Sequence, residues 1–318
     1  MKVLIFTHMY PTREHPESGV FVQQQVFSLR REGIDVDVLH VDAKRSRWIY
    51  LWSFVPIQKQ VLTRRYDLVH AHYVFAGVVA RSQFRFPVVL THHGDEAFYS
   101  WQAPLCRLMS RLVDKTIVVS QQIRESIGMQ STTVIPCGVD LEMFKPMDKL
   151  LTRKQLGLPA DKRLVLFVGD YTKSLKRFDI TQDAVARLKA MDIDVELVVA
   201  YKQKYERIPL FMNACDVMVL PSEREGSPQV VKEAMACNLP VVSADVGDVR
   251  DVLAGVEGCY LSPRDPTSIA ERLALVLRRH DRTNGREKVR PYELGAIARR
   301  IIKVYEEVAG GRDGRSGT

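Results

Sequence analysis

The sequence predicts an α/β protein of two domains, each a parallel sheet covered by helices on both faces. Three observations carry this. The chain has 318 residues, more than one hydrophobic core usually serves, so two domains of ordinary size are expected. Its opening residues 2–8 are a short apolar run closed by turn residues, the pattern of a strand buried on both faces. Runs of that kind then alternate with helix-like stretches, and such alternation builds βαβ units.

In the first half, helical periodicity over 19–31, 48–64, 74–84, 103–113 and 121–127 separates strand-like runs at 35–41, 67–71, 87–91, 116–120 and 133–135. Residues 150–158 open the second domain, followed by buried strands at 163–169 and 195–200, a helix at 208–214 and a strand at 216–220. Segments 256–261 and 266–279 close its sheet. A last amphipathic helix over 293–308 carries Ile297, Ile301, Val304, Tyr305 and Val308 along one side. Residues 310–318 are rich in glycine and polar side chains, and disorder is expected there.

Composition narrows the function. With 46% hydrophobic and 26% charged residues the chain is globular, neither fibrous nor broadly disordered. A net charge of +8 favours acidic partners such as nucleotide phosphates or an anionic membrane surface. Zinc-finger spacing, a basic-aromatic ribonucleoprotein motif and a long basic arm are all missing, so nucleic acid is not an expected partner. Cys106, Cys137, Cys215, Cys237 and Cys259 are odd in number and scattered, as reduced core residues of a cytosolic protein are. The apolar start is too short for a signal peptide, and no segment approaches the roughly 18 to 20 apolar residues that cross a bilayer. A cytoplasmic protein is expected.

The most informative stretch is 220–242, which reads as strand, loop, helix, strand. Ser227 and Pro228 are cap and first-turn signals, and Val230, Val231, Ala234, Met235 and Cys237 form an apolar stripe at helical spacing. Glu225 falls on the loop and Glu233 one or two turns into the helix, so two carboxylates can grip two ends of one ligand. The amides at Gly226 and Ser227 add partial positive charge, and the glycine lets a ligand approach the backbone. Taken alone, the pair also fits a capped helix with two solvated glutamates.

The pair does not stand alone. The run Glu225-Gly226-Ser227-Pro228 to Glu233-Ala234, followed by Asn238-Leu239-Pro240-Val241-Val242, resembles the signature of the retaining glycosyltransferases of nucleotide-sugar family four. That resemblance implies the GT-B fold, two Rossmann-like domains with parallel sheets facing across a cleft. It implies that Glu225 contacts the donor sugar, that Glu233 holds the ribose hydroxyls, and that Gly226, Ser227, Pro228 and Gln229 bind sugar and phosphate.

Other motifs fit the same family. Gly19, opening a helix after the loop that holds Tyr10 and Pro11, resembles the glycine that lets a helix N-terminus approach the donor diphosphate. His70-Ala71-His72-Tyr73 resembles a family motif at a strand end; two histidines at this spacing also suggest a metal, but no third ligand lies at a recognisable distance in sequence. In Thr91-His92-His93-Gly94-Asp95, His93 resembles the histidine that faces the donor near the reacting sugar. Asp95, Glu96 and Tyr10 are acceptor-side candidates. Lys176 matches the lysine that neutralises the departing diphosphate.

The sequence departs from the family in three places. Asp170 stands where many relatives carry arginine, so either Arg177 or Lys173 supplies the second positive charge or the site is weaker than usual. Cys137 replaces a common asparagine in the interdomain segment, and Tyr201-Lys202-Gln203 lacks the glycines often placed near the nucleotide base.

The resulting expectation is a metal-independent, retaining hexosyltransferase without a cofactor, using a UDP- or GDP-sugar for envelope polysaccharide, exopolysaccharide or glycolipid synthesis. Residues 1–149 form the acceptor-side domain, 150–290 the donor domain, and 291–309 a helix returning to the first domain. The alternatives are a degenerate protein that binds nucleotide-sugar or glycan without transfer, and a sugar-nucleotide epimerase. Segment 44–57, a basic cluster running into aromatics, reads either as a contact with an anionic membrane face or as a buried helix.

Overall fold

β1 (Lys2–Thr7) lies inside a six-stranded parallel sheet with β2 (Asp35–His40), β3 (Leu68–His72), β4 (Val88–His92), β5 (Lys115–Val118) and β6 (Thr133–Val134), in the order β2-β1-β3-β4-β5-β6. The computed structural model describes residues 1–15, 18–42, 52–99, 101–279 and 281–313. Alternate residues of β1 face opposite ways, as a strand's period of two requires. Leu4 and Phe6 join a core with the helices Phe54–Thr63, Val74–Arg81 and Ala103–Leu112, whereas Val3 and Ile5 join a second core with the helix Val20–Arg31.

Burial on both faces explains why these strands read as continuous apolar runs. The chain leaves β1 for β2 on one side and returns to β3 on the other. Ligands of such sheets bind beyond the carboxyl ends of the strands at that reversal, where the loops after β1, β3 and β4 lie.

A helix from the far end of the sequence completes this unit. Leu294–Asp313 buries Ile297, Ala298, Ile301, Val304 and Tyr305 in the core shared with Val22, Val26 and Leu29. It is also tied by Lys115 to Glu307 at 2.8 Å and by Arg300 to the Val134 carbonyl at 2.8 Å. Helix extends through Asp313, so 310–313 are ordered where disorder was expected, and 314–318 lie outside the described residues.

The second unit is a five-stranded parallel sheet of β7 (Arg163–Val168), β8 (Val195–Ala200), β9 (Val217–Leu220), β10 (Val241–Ser243) and β11 (Tyr260–Leu261), ordered β11-β10-β9-β7-β8. Its reversal lies between β7 and β9, directing attention to the loops after those strands. Unit one comprises Met1–Cys137 with Leu294–Thr318, and unit two Gly138–Glu293.

The division therefore falls at Cys137, ahead of the position after Lys149 that the sequence suggested. Hydrogen bonding explains the shift. Val139 donates its amide to the Tyr292 carbonyl at 2.9 Å, Arg286 holds the carbonyls of Leu141 and Phe144, and Asn213 binds both Lys145 and Met147. Phe144 is itself buried in the core of unit two. Among the described residues no helix is long and apolar enough to cross a membrane.

Candidate active site

In unit two, β7 ends at Gly169, whose φ of 139° suits glycine. The Asp170 carboxylate then folds the loop, accepting from the Thr172 amide at 3.0 Å and hydroxyl at 2.6 Å. These bonds hold its carboxyl below the usual range, led by the Thr172 hydroxyl. Asp170, at the position where the family resemblance led to an expectation of arginine, is thus a turn former. The loop closes in the 3-10 turn Ser174–Lys176, and Arg177 at φ 46° starts the helix Phe178–Ala190.

This path brings Lys176 Nζ to 2.6 Å from Glu225 Oε1 on the loop after β9. Both side chains keep an opening to solvent, at 30% and 17% exposure. The lysine has three donors and the carboxylate several lone pairs, so the pair retains capacity for a ligand. Arg177 forms an ion pair with Asp179 at 2.8 Å, while Lys173 is exposed on the same loop.

The loop carrying Glu225 is braced from below. A Cβ on Gly247 would lie 2.4 Å from the Gly226 carbonyl oxygen and 3.0 Å from that of Glu225, and Gly247 has φ +61°. Fully buried Lys232 donates to Ser227 Oγ at 2.9 Å and to Asp248 Oδ2 at 2.7 Å, and Ser227 Oγ donates to the same carboxylate oxygen at 2.7 Å. Ser227 therefore helps to fix the loop with its hydroxyl. Pro228 occupies the N-cap position, and the helix is Gln229–Ala236. The Gln229 side chain donates to the Gly138 carbonyl at 2.9 Å.

Glu233 sits inside that helix, 4% exposed, and Oε1 accepts from the Tyr205 hydroxyl at 2.5 Å. Burial pushes its carboxyl up to about 7, against the opposing pull of Tyr205 and Lys232. Gly247, Lys232, Asp248 and Tyr205 are the site residues that sequence reasoning missed. No signal in the sequence pointed to them: at helical spacing Lys232 falls opposite the apolar stripe of its helix.

In unit one, Gly19 caps the helix Val20–Arg31 with φ 69°, and a Cβ there would meet the Met9 carbonyl at 2.4 Å. The close approach is to the chain's own loop, which also carries Tyr10; burial raises the Tyr10 phenol. Past β4, His93 Nε2 lies 2.8 Å from His72 Nδ1, with the rings of Phe21 and Tyr73 packed around it at 4.7 and 5.1 Å. Asp95 opens the short helix Asp95–Phe98.

Glu96, an acceptor-side candidate, is turned inward. Its Oε1 lies 3.0 Å from His92 Nδ1 and accepts from the His93 amide at 3.3 Å, because His92 is buried and needs a partner. His70 is engaged by the Tyr305 hydroxyl at 2.6 Å and Thr91 Oγ1 at 2.7 Å. Among the described residues no three His, Cys, Asp or Glu side chains converge to hold a metal ion.

Comparison with known proteins decides what these loops belong to. The sequence profile of Glycosyltransferase Family 4 matches residues 1–143, and that of Glycosyl transferases group 1 matches 201–279. The chain belongs to glycosyltransferase family four. TuaC of Bacillus subtilis, a glycosyltransferase assigned to teichuronic acid biosynthesis, is 25% identical over 86% of this chain and 88% of its own. D-inositol 3-phosphate glycosyltransferase of Geodermatophilus obscurus is 30% identical over 68% of this chain, a match spanning 60% of that relative's length.

Among solved structures, the sucrose-phosphate synthase of Thermosynechococcus elongatus superposes with a TM-score of 0.81 at 20% identity, covering 98% of this chain and 100% of that one. Anabaena HepE, solved in complex with UDP, gives 0.73 at 18% identity, covering 96% and 100%. These likenesses show the fold: this family-four enzyme has the GT-B architecture.

Proposed function

We propose that this glycosyltransferase moves a sugar from a nucleoside-diphosphate sugar to a hydroxyl of an envelope polysaccharide or glycolipid precursor, with retention of configuration and without a divalent metal. The observation that carries the proposal is the 2.6 Å pair of Lys176 Nζ and Glu225 Oε1 on the loops after β7 and β9. Transfer requires a cation at the departing diphosphate and a carboxylate that orients sugar hydroxyls. One ion pair supplies both groups, each holding the other in place. Glu225 engaged by a lysine is suited to orienting the sugar, and we assign it no nucleophilic role.

Glu233, poised near neutrality beside Tyr205, suits the paired hydroxyls of a ribose, whose O–H groups donate to a carboxylate. His93 of unit one is the candidate for a hydrogen bond to a substrate hydroxyl. UDP-sugars are the first donors to try, since HepE was solved with UDP, and GDP-sugars the second. A thermal-shift screen of uridine, guanosine and adenosine diphosphates and their sugars, with and without magnesium, tests the reading through native-state stabilisation. A selective, magnesium-independent rise supports it, and no rise at millimolar nucleotide defeats it. Incubation with donor alone then exposes an epimerase by a changed sugar.

We further propose contact with an anionic membrane face. Segments 52–66, 74–87 and 101–112 contain Lys59, Arg64, Arg65, Arg81, Arg85, Arg107 and Arg111 and no acidic residue. They expose Trp52, Val55, Phe84, Trp101 and Leu108. Basic charge beside exposed aromatics suits an anionic interface. The remainder of the expected membrane segment, 44–51, lies outside the described residues. Co-sedimentation with anionic but not neutral vesicles, reduced by Trp52→Ala with Trp101→Ala, is the expected result.

A further inference from the structure

We propose that Arg264 is a positioning residue for the loop after β9: its guanidinium clamps the main chain just ahead of Glu225 and so holds that carboxylate against Lys176. This rests on the reading of Glu225 and Lys176 as the groups that meet the nucleotide-sugar.

Between the end of β9 at Leu220 and the helix that begins at Gln229, the chain has no regular structure of its own to hold Glu225. Arg264 reaches this loop from the segment after β11. Its Nε donates to the Ser222 carbonyl at 3.1 Å and its Nη2 to the Glu223 carbonyl at 3.2 Å. Two donors of one rigid, planar fork thus fix two successive carbonyls. The Ser222 hydroxyl, buried and without a partner, adds no hold of its own.

Glu223 also ties this loop to the one that carries Lys176. Its amide donates at 2.8 Å to the carbonyl of Leu175, the residue before the lysine. With its carbonyl held by Arg264 and its amide by Leu175, Glu223 joins the two loops through the main chain, and the pair of Lys176 and Glu225 joins them again through side chains. On the far side of the carboxylate, Gly247 packs under the carbonyls of Glu225 and Gly226. The loop is therefore gripped both before and after Glu225.

The clamp stands on a stiff base. Pro263 and Pro266 flank Arg264 and Asp265, the Ser262 amide donates to the Ser243 carbonyl at 2.9 Å, and Asp265 Oδ1 accepts from the Ser268 amide at 2.9 Å in the first turn of the helix Pro266–Arg279. The arginine itself is exposed. Its loss leaves the core of unit two untouched, so the consequence falls on the loop.

Hydrogen exchange in the ligand-free protein tests the clamp directly. In Arg264→Met, which keeps much of the side-chain stem without its donors, the Glu223 amide should exchange about tenfold faster or more, with the melting temperature nearly unchanged. The kcat for sugar transfer should fall about tenfold, as for a reacting group held out of place. Added to Glu225→Gln, the same change should lower kcat by less than about twofold, because a residue that acts through Glu225 has little left to position. Arg264→Lys keeps the charge but not the fork, and should fall between the parent and the methionine variant.

An unmoved Glu223 amide, unchanged kcat, losses that add in full to those of Glu225→Gln, or a lysine variant as active as the parent would each overturn the proposal. Exchange in Arg264→Lys decides the matter if the methionine variant does not fold. Because exchange is read without substrate, a faster Glu223 amide in a protein that transfers no sugar even as the parent would defeat the functional reading and leave the clamp standing.

Discussion

Lys176 Nζ and Glu225 Oε1 lie 2.6 Å apart although 49 residues separate them in sequence. Each belongs to the loop following a strand at the reversal of the second sheet, which is why distant residues meet there. A partly exposed pair contributes little to stability, on the order of 0 to 1 kcal/mol. Replacing Glu225 with glutamine should therefore leave the melting temperature nearly unchanged while lowering kcat by roughly 10² or more, the scale of losing an oriented electrostatic contact. Lys176→Ala should in addition abolish the nucleotide-induced thermal shift. Full transfer by either variant would remove the pair from the mechanism.

Gly247 makes a prediction of the opposite kind, because the atoms nearest a Cβ there are backbone. Alanine there meets the Gly226 carbonyl at 2.4 Å and adopts φ +61°. The loop must move, at a cost of about 1 to 3 kcal/mol for the strained backbone. Calorimetry of Gly247→Ala should show a melting point lower by about 2 to 4 °C per kcal/mol. Its nucleotide-sugar KM should rise as well, since the displaced carbonyl belongs to the residue after Glu225. An unchanged KM would mean that the loop position is irrelevant to binding.

Much of this architecture was legible because it follows from local pattern. Strands buried on both faces announce themselves as apolar runs, and the Glu225 to Glu233 stretch showed its loop and helix through Gly226, Pro228 and the stripe from Val231 to Met235. Residues whose role depends on a distant partner were opaque. Lys232 reads as a solvated helix residue until Asp248 closes on it, and Glu96 reads as a surface acid until His92 is buried beside it. The helix start also misled, for the Ser227 hydroxyl turns to Asp248 and leaves the N-cap position to Pro228.

Lys232 and Asp248 form a buried ion pair at 2.7 Å. Removing one partner strands the other charge, which typically costs about 3 to 5 kcal/mol, whereas removing both is far milder. Lys232→Met should therefore be much less stable in denaturant titration than Lys232→Met combined with Asp248→Asn. The double variant should still bind nucleotide weakly, because Ser227 Oγ loses its bond from Lys232 and its charged acceptor. If the single and double variants are equally stable, the pair carries no coupling.

Glu233 ties stability to function through pH. Its folded carboxyl titrates at about 7, above the ordinary 4.5, so between these values the folded state binds the more protons. Unfolding free energy must then fall as pH rises from about 4.5 through about 7, a contribution on the order of 3 kcal/mol present below that window and lost above it. Glu233→Gln keeps an acceptor for Tyr205 but cannot ionise. It should melt higher than the parent above pH 7 and lose the pH dependence contributed by this window. The same variant should show a smaller shift with nucleotide at pH 8, because the ionised carboxylate is the stronger acceptor for ribose hydroxyls. Greater stability with weaker binding is the outcome that marks Glu233 as a ligand group held at a cost to the fold; a variant no more stable at pH 8 than the parent would show that its burial is already compensated.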